Sequence, residues 1–370
     1  MTQTPPSTGP LPRPEILTIS PYVGGEATVA GVNRSYKLSS NEGAFGVPPL
    51  AQQALREAAA GSFRYPDGGA DGLREEIGKY WNLDPAKIVC GAGSDDILYH
   101  LCLAYGGAGR EILMSAHGFT IYHIAGVYAG SPVIKVAEKN LQPDLDALLA
   151  AVTPATTVVF LANPNNPTGA MITEADMARF RAALRPDILL VIDSAYAEYV
   201  TREDYNAGER LVDATDNTIM TRTFSKIFGL GGVRLGWSYG PPAVNDVLHR
   251  IRAAFSVSVL AQASGIAALR EPGWVEKGRN HNALWRPNLA AGIEAAGIPV
   301  YPGEGNFVLA DFGMVEQATA ADLFMRRRGL ILRRVGSYGL PHCLRITVGT
   351  AEECTLVIEG LTDFMKQARG

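Results

Sequence analysis

The sequence has few cysteines and no long uncharged apolar segment, and both absences limit what the protein can be. The four cysteines, Cys90, Cys102, Cys343 and Cys354, form no C-x-x-C pair and have no His-rich spacing beside them of the kind that binds zinc. We therefore interpret them as reduced, structural thiols and predict no metal. The uncharged stretch 253–269 is too short for a bilayer and contains serine, glutamine and glycine, so it predicts a buried helix.

Net charge and the N-terminal segment argue against further classes of function. The chain has 33 basic and 37 acidic residues and a formal net charge of -4, which gives no general attraction to nucleic acid or to an anionic membrane. Any anion must therefore bind at a local site. The segment MTQTPPSTGPLPRP contains five prolines and no apolar core, so it predicts a flexible tail and not a secretory signal. We expect a cytoplasmic protein that binds neither nucleic acid nor membrane.

Strand-like and helix-like segments alternate through the first two thirds of the chain. Four short, largely apolar runs are each bounded by Asn, Gly, Pro, Asp or Ser: EILMS (111–115), VVFLA (158–162), ILLVI (188–192) and TIMTRT (218–223). Runs of this length, separated by helical patterns, are typical of strands buried on both faces of a mostly parallel sheet. The last third, from about Pro241, has no comparable series and predicts a second, smaller domain.

Polar residues follow three of these runs at the point where each strand is predicted to end. Asn166 lies in NPNNPTG after the second run, Asp193 and Tyr196 lie in DSAYAEY after the third, and Lys226 lies in FSK after the fourth. Function in such sheets collects at the carboxyl ends of the strands. We therefore expect these side chains to face one crevice.

A glycine-rich turn upstream is a candidate anion site. In CGAGSDDILYHLCLAY, Gly91 and Gly93 precede Ser94, a good N-cap residue, and Asp95 and Asp96 follow in the first helical turn. A turn of this kind presents free backbone N–H groups to an anion, typically a phosphate.

Each of these signals has a simpler explanation when it is taken alone. A glycine-rich turn is often only a tight connection, NPNNPTG can be a plain loop, Asp193 can cap a helix, and Lys226 can be a solvated surface lysine. The stretch GLGGVRLG is no dinucleotide fingerprint, because no strand–glycine–helix unit with a downstream acidic residue surrounds it. Together the signals match the needs of pyridoxal phosphate: a lysine amine, a carboxylate beside the ring nitrogen, donors to the ring hydroxyl and a phosphate site.

A family resemblance extends over almost the whole chain after the tail. From PYVGG (21–25) to LRITVGT (344–350), the combined motifs resemble the fold-type I pyridoxal-phosphate aminotransferases, and within them the histidinol-phosphate aminotransferase family. The resemblance implies an α/β fold with a large domain, built on a mostly parallel seven-stranded sheet between helices, and a smaller α+β domain. It divides the chain into a tail and N-terminal arm belonging to the small domain (1–45), a large cofactor-binding domain (46–245) and a small C-terminal domain (246–370).

The resemblance also implies roles around the cofactor. Lys226 forms the covalent bond to the cofactor aldehyde, and Asp193 faces the pyridine nitrogen. Tyr196 and Asn166 contact the ring oxygen, and Phe119 stacks on the ring. Lys226, Asp193 and Tyr196 are the implied catalytic residues. The full implied cofactor set is Gly93, Ser94, Asp95, Phe119, Asn166, Asp193, Tyr196, Thr223, Ser225, Lys226, Arg234 and Tyr65.

Substrate and subunit contacts are implied in the same way. The substrate set is Tyr22, Asn166, Arg333 and Arg345. RYPD (64–67) resembles the family segment whose tyrosine, here Tyr65, reaches the cofactor phosphate of the neighbouring subunit, so it implies a homodimer. Since a guanidinium binds phosphate and carboxylate alike, the two arginines do not choose between substrates that carry those groups.

The sequence departs from the usual family pattern at four positions. His117 stands where proline is usual, and Phe119 stands where tyrosine is common, which keeps an aromatic face but removes a hydroxyl. Gly43 and Ala44 stand where the family often has Asn and Pro. We expect the entrance loop to have a different shape, which affects substrate identity more than reaction type.

The implied activity is a ping-pong transamination by a dimeric enzyme. It converts L-histidinol phosphate and 2-oxoglutarate to imidazole acetol phosphate and L-glutamate, a step of histidine biosynthesis. An aromatic aminotransferase acting on phenylalanine or tyrosine, alone or as a second activity, is the first alternative, and a threonine-phosphate decarboxylase is a distant second. A transcriptional regulator with an aminotransferase-like half is disfavoured, because no DNA-binding segment precedes Pro21.

Overall fold

The structure, a computed structural model, describes residues 11–21, 24 and 26–369. Tyr22, which the sequence predicts to contact substrate, lies outside the described residues. None of the helices in this part of the chain is long and apolar enough to cross a bilayer.

The described strands form one large sheet, one smaller sheet and one short pair. In chain order they are β1 (Tyr36–Lys37), β2 (Ile88–Gly91), β3 (Glu111–Ser115), β4 (Val133–Val136), β5 (Thr156–Ala162), β6 (Leu189–Asp193), β7 (Thr218–Thr223), β8 (Gly236–Tyr239), β9 (Val300–Tyr301), β10 (Phe307–Asp311), β11 (Leu330–Ile331), β12 (Arg333–Val335) and β13 (Leu340–Thr347). The helices are α1 (Pro49–Ala59), α2 (Asp71–Trp81), α3 (Ser94–Tyr105), α4 (Thr120–Ala129), α5 (Leu145–Ala150), α6 (Glu174–Ala183), α7 (Glu209–Ala214), α8 (Pro242–Ile251), α9 (Val259–Arg270), α10 (Trp274–Ala295), α11 (Val315–Arg327) and α12 (Ala351–Arg369).

The large sheet is mostly parallel, which confirms the predicted fold class. Its strand order is β2-β8-β7-β6-β5-β3-β4, and every strand except β8 runs in the same direction. The four apolar runs predicted to be strands form β3, β5, β6 and β7.

Helices cover the large sheet on both faces because alternate residues of each strand point to opposite sides. In β5, Val158 and Phe160 pack in one core cluster with residues of α3 and α4. The intervening Val159 and Leu161 pack in another cluster with residues of α5 and α6. Local signals start the helices: Thr173, for example, accepts the Asp176 N–H at 3.1 Å and caps α6. A strand buried on both faces can present polar side chains only at its ends.

The smaller sheet is antiparallel, with strand order β12-β13-β10-β9. One face packs against α10, α11 and α12 in a core that includes Val308, Leu344 and Ile346. The short parallel pair of β1 with β11 attaches the N-terminal residues to the same unit. Residues 14–18, by contrast, pack on α4 of the large unit, so the placement of the whole N-terminal arm in the small domain stays a prediction.

The packing of α9 bears on where the two domains divide. The sequence places the start of the small domain at residue 246, but α9 packs on α1 and α2 of the large unit. Its residues Ala261 and Leu269 belong to the same core cluster as Leu73 and Ile77 of α2. The division into domains stays a prediction, and we propose a boundary after Arg270.

A buried ion pair joins β7 to the segment that follows β6. Arg222 donates to Glu198 Oε1 through Nη2 at 2.8 Å and through Nε at 3.2 Å, and the two side chains are 6% and 3% exposed. The Arg222 guanidinium also lies 4.6 Å from the Trp81 ring centroid and 5.6 Å from that of Trp237. Forming such a pair costs desolvation energy, but leaving one of its charges alone in the interior costs more.

We expect Glu198→Gln to lower the free energy of unfolding by about 3 to 5 kcal/mol, because the Arg222 charge then stays buried without its partner. Denaturant unfolding followed by tryptophan fluorescence measures the loss. The matched control is Asp204→Asn, which removes the exposed partner of Arg202 and should cost less than about 1 kcal/mol. Equal losses in the two variants contradict the prediction.

Candidate active site

A cavity opens at the carboxyl ends of β5, β6 and β7, where the sequence predicts the functional residues. Asn166 follows β5, Asp193 ends β6 and Lys226 follows β7. The predicted site residues that line this cavity are Ser94, Asp95, Phe119, Asn166, Asp193, Tyr196, Thr223, Ser225, Lys226, Arg234, Arg333 and Arg345. Because the two last-named residues belong to β12 and β13, the large and small sheets enclose the cavity together.

Lys226 lies in the turn after β7, and its amine is held by a neutral group. Its Nζ donates to the backbone carbonyl of Ser40 at 3.2 Å and lies 5.6 Å from the ring centroid of Tyr196. Two hydroxyl residues shape the approach to the lysine, since Thr223 Oγ1 accepts the Ser225 N–H at 3.0 Å. The amine is therefore at the cavity wall, where a small molecule can reach it.

Asp193 is a buried carboxyl group of the cavity, 5% exposed. Its Oδ2 accepts the Tyr122 hydroxyl at 2.7 Å, and its Oδ1 accepts the Thr221 hydroxyl at 3.3 Å. Burial raises the pKa of this carboxyl to about 6, although the bonds from Tyr122 and Thr221 lower it and the charge of Asp95 raises it further. The groups that most affect this pKa include no cation. A cationic group in the cavity beside Asp193 would stabilise its ionised form, and a protonated pyridine nitrogen is such a group.

A candidate anion site lies where α3 begins, but the N-cap of this helix differs from the prediction. Ser94 is the first residue of α3, and Gly93 occupies the N-cap position with a φ of 97°. A Cβ on Gly93 would lie 2.4 Å from Arg234 Nη2, so only glycine leaves room for the guanidinium. Arg234 donates to Ser225 Oγ at 3.5 Å and lies 3.6 Å from Asp95 Oδ2. The helix N-terminus, a hydroxyl and a guanidinium thus converge, which is a suitable arrangement for a phosphate.

The two predicted substrate arginines lie directly opposite each other in the small sheet. Arg333 and Arg345 are register partners across the antiparallel pair of β12 and β13, so their side chains leave the same face. Arg345 is buried and donates from Nη1 to Asn166 Oδ1 and from Nη2 to the Ser39 carbonyl at 2.7 Å. Its buried Nε has no hydrogen-bond partner among the described residues. A carboxylate or phosphate oxygen can complete this set of donors.

Phe119 and the sequence departure at His117 also reach the cavity region. Phe119 lines the cavity and packs edge-to-face on Tyr122, with ring centroids 5.7 Å apart. His117 donates from Nδ1 to the Tyr338 carbonyl at 2.6 Å, because a carbonyl can only accept. His117 therefore ties the loop before α4 to the small unit.

Tyr65 lies outside the cavity of its own chain. Its side chain is 82% exposed and stacks on Phe255, with ring centroids 4.6 Å apart. Phe63, close by in the sequence, is 77% exposed. A contact of Tyr65 with a cofactor would therefore have to be made in another subunit.

Sequence reasoning missed three residues that contact the predicted site residues. Tyr122 and Thr221 bond to Asp193, and Asn41 donates to the Tyr196 hydroxyl at 3.0 Å. For two of these residues, the sequence contained a signal of their position near the site. Tyr122 lies one helical turn after Phe119, and Thr221 lies two residues before Thr223 on the same face of β7. Asn41 had none, since it approaches from a remote part of the chain.

The described residues also include one group of possible metal ligands, away from the cavity. Ligand atoms of Asp311, His342 and Cys343 lie within 4.8 Å of one another. Burial raises the pKa of the Cys343 thiol to about 12, so this thiol stays protonated at neutral pH. The carboxylate of Asp311 already accepts hydrogen bonds from Tyr301 and Gly313. These features disfavour a metal here, and the absence of a metal stays a prediction.

Comparison with known proteins gives consistent matches over nearly the whole chain. The sequence model of the family described as "Aminotransferase class I and II" matches residues 34–361. The histidinol-phosphate aminotransferase of Granulibacter bethesdensis is 58% identical, with 97% of each chain covered. That of Rhodospirillum rubrum is 53% identical, with 96% of this chain and 97% of that protein covered. The chain belongs to the histidinol-phosphate aminotransferase family.

A solved member of the histidinol-phosphate aminotransferase family has the same fold. The crystal structure of the Sinorhizobium meliloti enzyme, in complex with pyridoxal-5'-phosphate, matches with a TM-score of 0.90 at 28% identity, and 98% of this chain and 99% of that chain are covered. The structure gives a local reason for glycine at position 43, where the family often has asparagine. A Cβ at this position would lie 2.7 Å from the Lys226 carbonyl oxygen, so the lysine turn lies against the glycine backbone.

The raised pKa of Asp193 predicts a pH-dependent stability of the cofactor-free protein. The folded state keeps the proton to about pH 6, whereas the unfolded carboxyl loses it near its ordinary pKa of 3.8, so the folded state loses stability as the pH rises between these values. Relative to Asp193→Asn, the native protein should lose about 3 kcal/mol of unfolding free energy across this window and little more above about pH 7.

Denaturant unfolding at a series of pH values measures this difference. Asp216→Asn, at an exposed position, is the control and should give a curve parallel to that of the native protein. A constant offset between the native protein and Asp193→Asn at all pH values would contradict the prediction.

Proposed function

We propose that the protein is a pyridoxal-phosphate-dependent aminotransferase that transfers the amino group of L-histidinol phosphate to 2-oxoglutarate, giving imidazole acetol phosphate and L-glutamate. The observation that carries the proposal is the convergence of Lys226, Asp193 and an anion site in one cavity, which Arg333 and Arg345 close. Curated relatives at 50% and 58% identity bear the name histidinol-phosphate aminotransferase, which supports the same reaction.

The cavity residues fit each functional group of pyridoxal phosphate. Lys226 would bond the aldehyde carbon, and Asp193 would hold the protonated ring nitrogen. Tyr196 and Asn166 are placed for the ring oxygen, and Phe119 offers an aromatic face. Gly93, Ser94, Asp95, Thr223, Ser225 and Arg234 surround the proposed phosphate position. When bound, the cofactor supplies an electron sink for the pair left on the substrate Cα after proton loss.

Lys226 is the proposed general base and acid. Once the substrate amine had replaced it, Lys226 Nζ would be the group that takes the proton from the substrate Cα as a base and gives a proton back as an acid. The Ser40 carbonyl, 3.2 Å from Nζ, orients the amine without taking its proton permanently, because an amide oxygen is a weak base. Asp193 supports the step from a distance, since a cation bonded to its carboxylate counteracts the rise in pKa that burial causes.

The pair of arginines supports a doubly anionic substrate. Arg345 is buried against Asn166 and Ser39, whereas Arg333 is half-buried at the mouth of the same cavity. A phosphate dianion offers more oxygens and more charge than a carboxylate, so it suits two converging guanidinium groups better. Phenylalanine or tyrosine, each with a single carboxylate, would use Arg345 alone.

We also propose a homodimer in the cytoplasm. Tyr65, Phe63 and Phe255 form an exposed aromatic surface, and burying such a surface against a second copy would remove apolar area from water. In that dimer Tyr65 would reach the phosphate position of the neighbouring subunit. The four cysteines are unpaired, as is usual in a reducing compartment.

One prediction of the proposed function concerns the covalent attachment of the cofactor to Lys226. The native protein incubated with pyridoxal phosphate should develop the visible absorbance band of the lysine-bound cofactor, and Lys226→Ala should lack it, because none of the other described residues that line the cavity is a lysine. Borohydride reduction followed by peptide mass spectrometry should place the label on Lys226. A label elsewhere, or unchanged turnover in Lys226→Ala, would remove the basis of the proposed function.

A further prediction of the proposed function concerns the choice between L-histidinol phosphate and phenylalanine. Arg333→Ala should lower kcat/KM for L-histidinol phosphate by roughly 30-fold to 5,000-fold, which corresponds to about 2 to 5 kcal/mol for the loss of one partner of a charge pair that the bound substrate would bury. The loss for phenylalanine should be much smaller. Both amines are compared at fixed 2-oxoglutarate.

Arg334→Ala is the matched control for this prediction. Arg334 is the next residue of β12, is exposed, and donates to Thr319 Oγ1 at 3.0 Å outside the cavity. Its removal should leave both amines nearly unaffected. A native protein that prefers phenylalanine or tyrosine, or an equal loss for both amines in Arg333→Ala, would favour the aromatic aminotransferase instead.

A further inference from the structure

Asn41 lies at the meeting point of the two structural units, between Tyr196 and β13. Its side chain is fully buried, and its backbone is left-handed, with a φ of 55°. Asn41 Nδ2 donates to the Tyr196 hydroxyl oxygen at 3.0 Å. Thr347, at the end of β13, contacts both the backbone and the side chain of Asn41. This asparagine is absent from the residues that the sequence predicted for the site.

The hydrogen bonds around Thr347 fix which way the Asn41 amide faces. Thr347 Oγ1 accepts the backbone N–H of Asn41 at 3.0 Å, and a backbone N–H can only donate. The hydroxyl hydrogen of Thr347 therefore goes to Asn41 Oδ1, 3.1 Å away. With Oδ1 engaged in this way, Nδ2 is the atom left to face Tyr196, and an amide nitrogen also only donates.

This orientation determines the direction of the Tyr196 hydroxyl. Its oxygen accepts from Asn41, so its own hydrogen is directed to a different acceptor. The ring is held by Phe307, edge-to-face at 5.2 Å, and the hydroxyl lies in a region where Asn41, Thr347 and Tyr196 are all buried.

We infer that Asn41 is a positioning residue that, held by Thr347, makes Tyr196 a hydrogen-bond donor to the ring oxygen of the cofactor. The inference rests on the proposed function, since it concerns pyridoxal phosphate bound to Lys226. A donor to the ring oxygen stabilises that oxygen in its ionised form. It thereby lowers the pH at which the proton shared by the ring oxygen and the lysine nitrogen is lost.

The same segment links this network to the substrate arginine. Ser39 accepts from Arg345, Ser40 accepts from Lys226, and Asn41 bonds to Tyr196, so three successive residues each contact a different functional side chain. Arg345 and Thr347 are two residues apart on β13 and leave the same face of the strand. Removing the Thr347 hydroxyl should therefore affect Tyr196 through Asn41 without touching the cofactor site directly.

The test measures the pH midpoint of the absorbance change of the lysine-bound cofactor, without substrate, for the protein loaded with pyridoxal phosphate. Asn41→Gly, which tolerates the left-handed backbone, should raise the midpoint by up to about one pH unit, since full loss of the bond from Tyr196 to a charged oxygen is expected to have about that size. Thr347→Val should raise the midpoint in the same direction. Thr347→Ser keeps the hydroxyl and should leave it within about 0.3 pH units of the native value.

A Tyr196→Phe background separates positioning from general damage. Tyr196→Phe should itself raise the midpoint, and adding Asn41→Gly or Thr347→Val to it should cause no further shift, because the hydroxyl they orient is gone. Thermal unfolding of each variant shows whether it is folded. If Asn41→Gly does not fold, the comparison of Thr347→Val with Thr347→Ser tests the inference.

The outcomes distinguish this inference from the proposed function. A native protein that forms no lysine-bound band would overturn the proposed function and this inference with it. A normal native band with unchanged midpoints in Asn41→Gly and Thr347→Val would overturn this inference alone. Additive shifts in the Tyr196→Phe background would do the same.

Discussion

The carboxyl group of Asp193 ends a strand that is buried along its whole length, so it can be charged only if other groups replace the water it has lost. Two hydroxyls, from Tyr122 and Thr221, replace part of that water, and the pKa of the carboxyl remains raised. Among the described residues, the groups that most affect the pKa of Asp193 include no cation. The other cavity residues are consistent with a cationic ligand, because they surround a space in which a ring cation would meet the carboxylate at one end and an anion site at the other.

Because two sheets enclose the cavity, residues for the proposed cofactor and for the proposed substrate can line the same space. The large sheet provides Asn166, Asp193 and Lys226 from the ends of adjacent strands, which places them rigidly. The small sheet provides Arg333 and Arg345 as register partners, so their spacing is set by the strand pairing and not by side-chain flexibility. The proposed cofactor residues Asp193 and Lys226 and the proposed substrate arginines therefore lie on separate structural units.

Much of the site could be predicted from sequence because it depends on strand ends. Asn166, Asp193 and Lys226 each follow a recognisable buried run, and the order of the runs places them together. Other parts depend on contacts that no local pattern encodes. Asn41 meets Tyr196 only because the chain folds back across the cavity, and α9 joins the large core although its sequence follows the last strand of that sheet. The N-cap of α3 was mispredicted because the space beside Arg234 requires glycine at that position.

The early pairing of β1 with β11 has a mechanical consequence. From β1 in the small unit, the chain crosses to the large unit before α1 and crosses back along α10, where Val275 packs in the large core and Leu289 in the small one. Between β1 and the end of α12, two covalent connections therefore join the units, and two attachment points define an axis. Rotation of one unit about the line through these two points strains the connections little, whereas twisting or separating the units would strain both connections at once. The first connection contains Ser39, Ser40 and Asn41. Any rotation of this kind would therefore first displace the groups that contact the Lys226 amine and the Tyr196 hydroxyl.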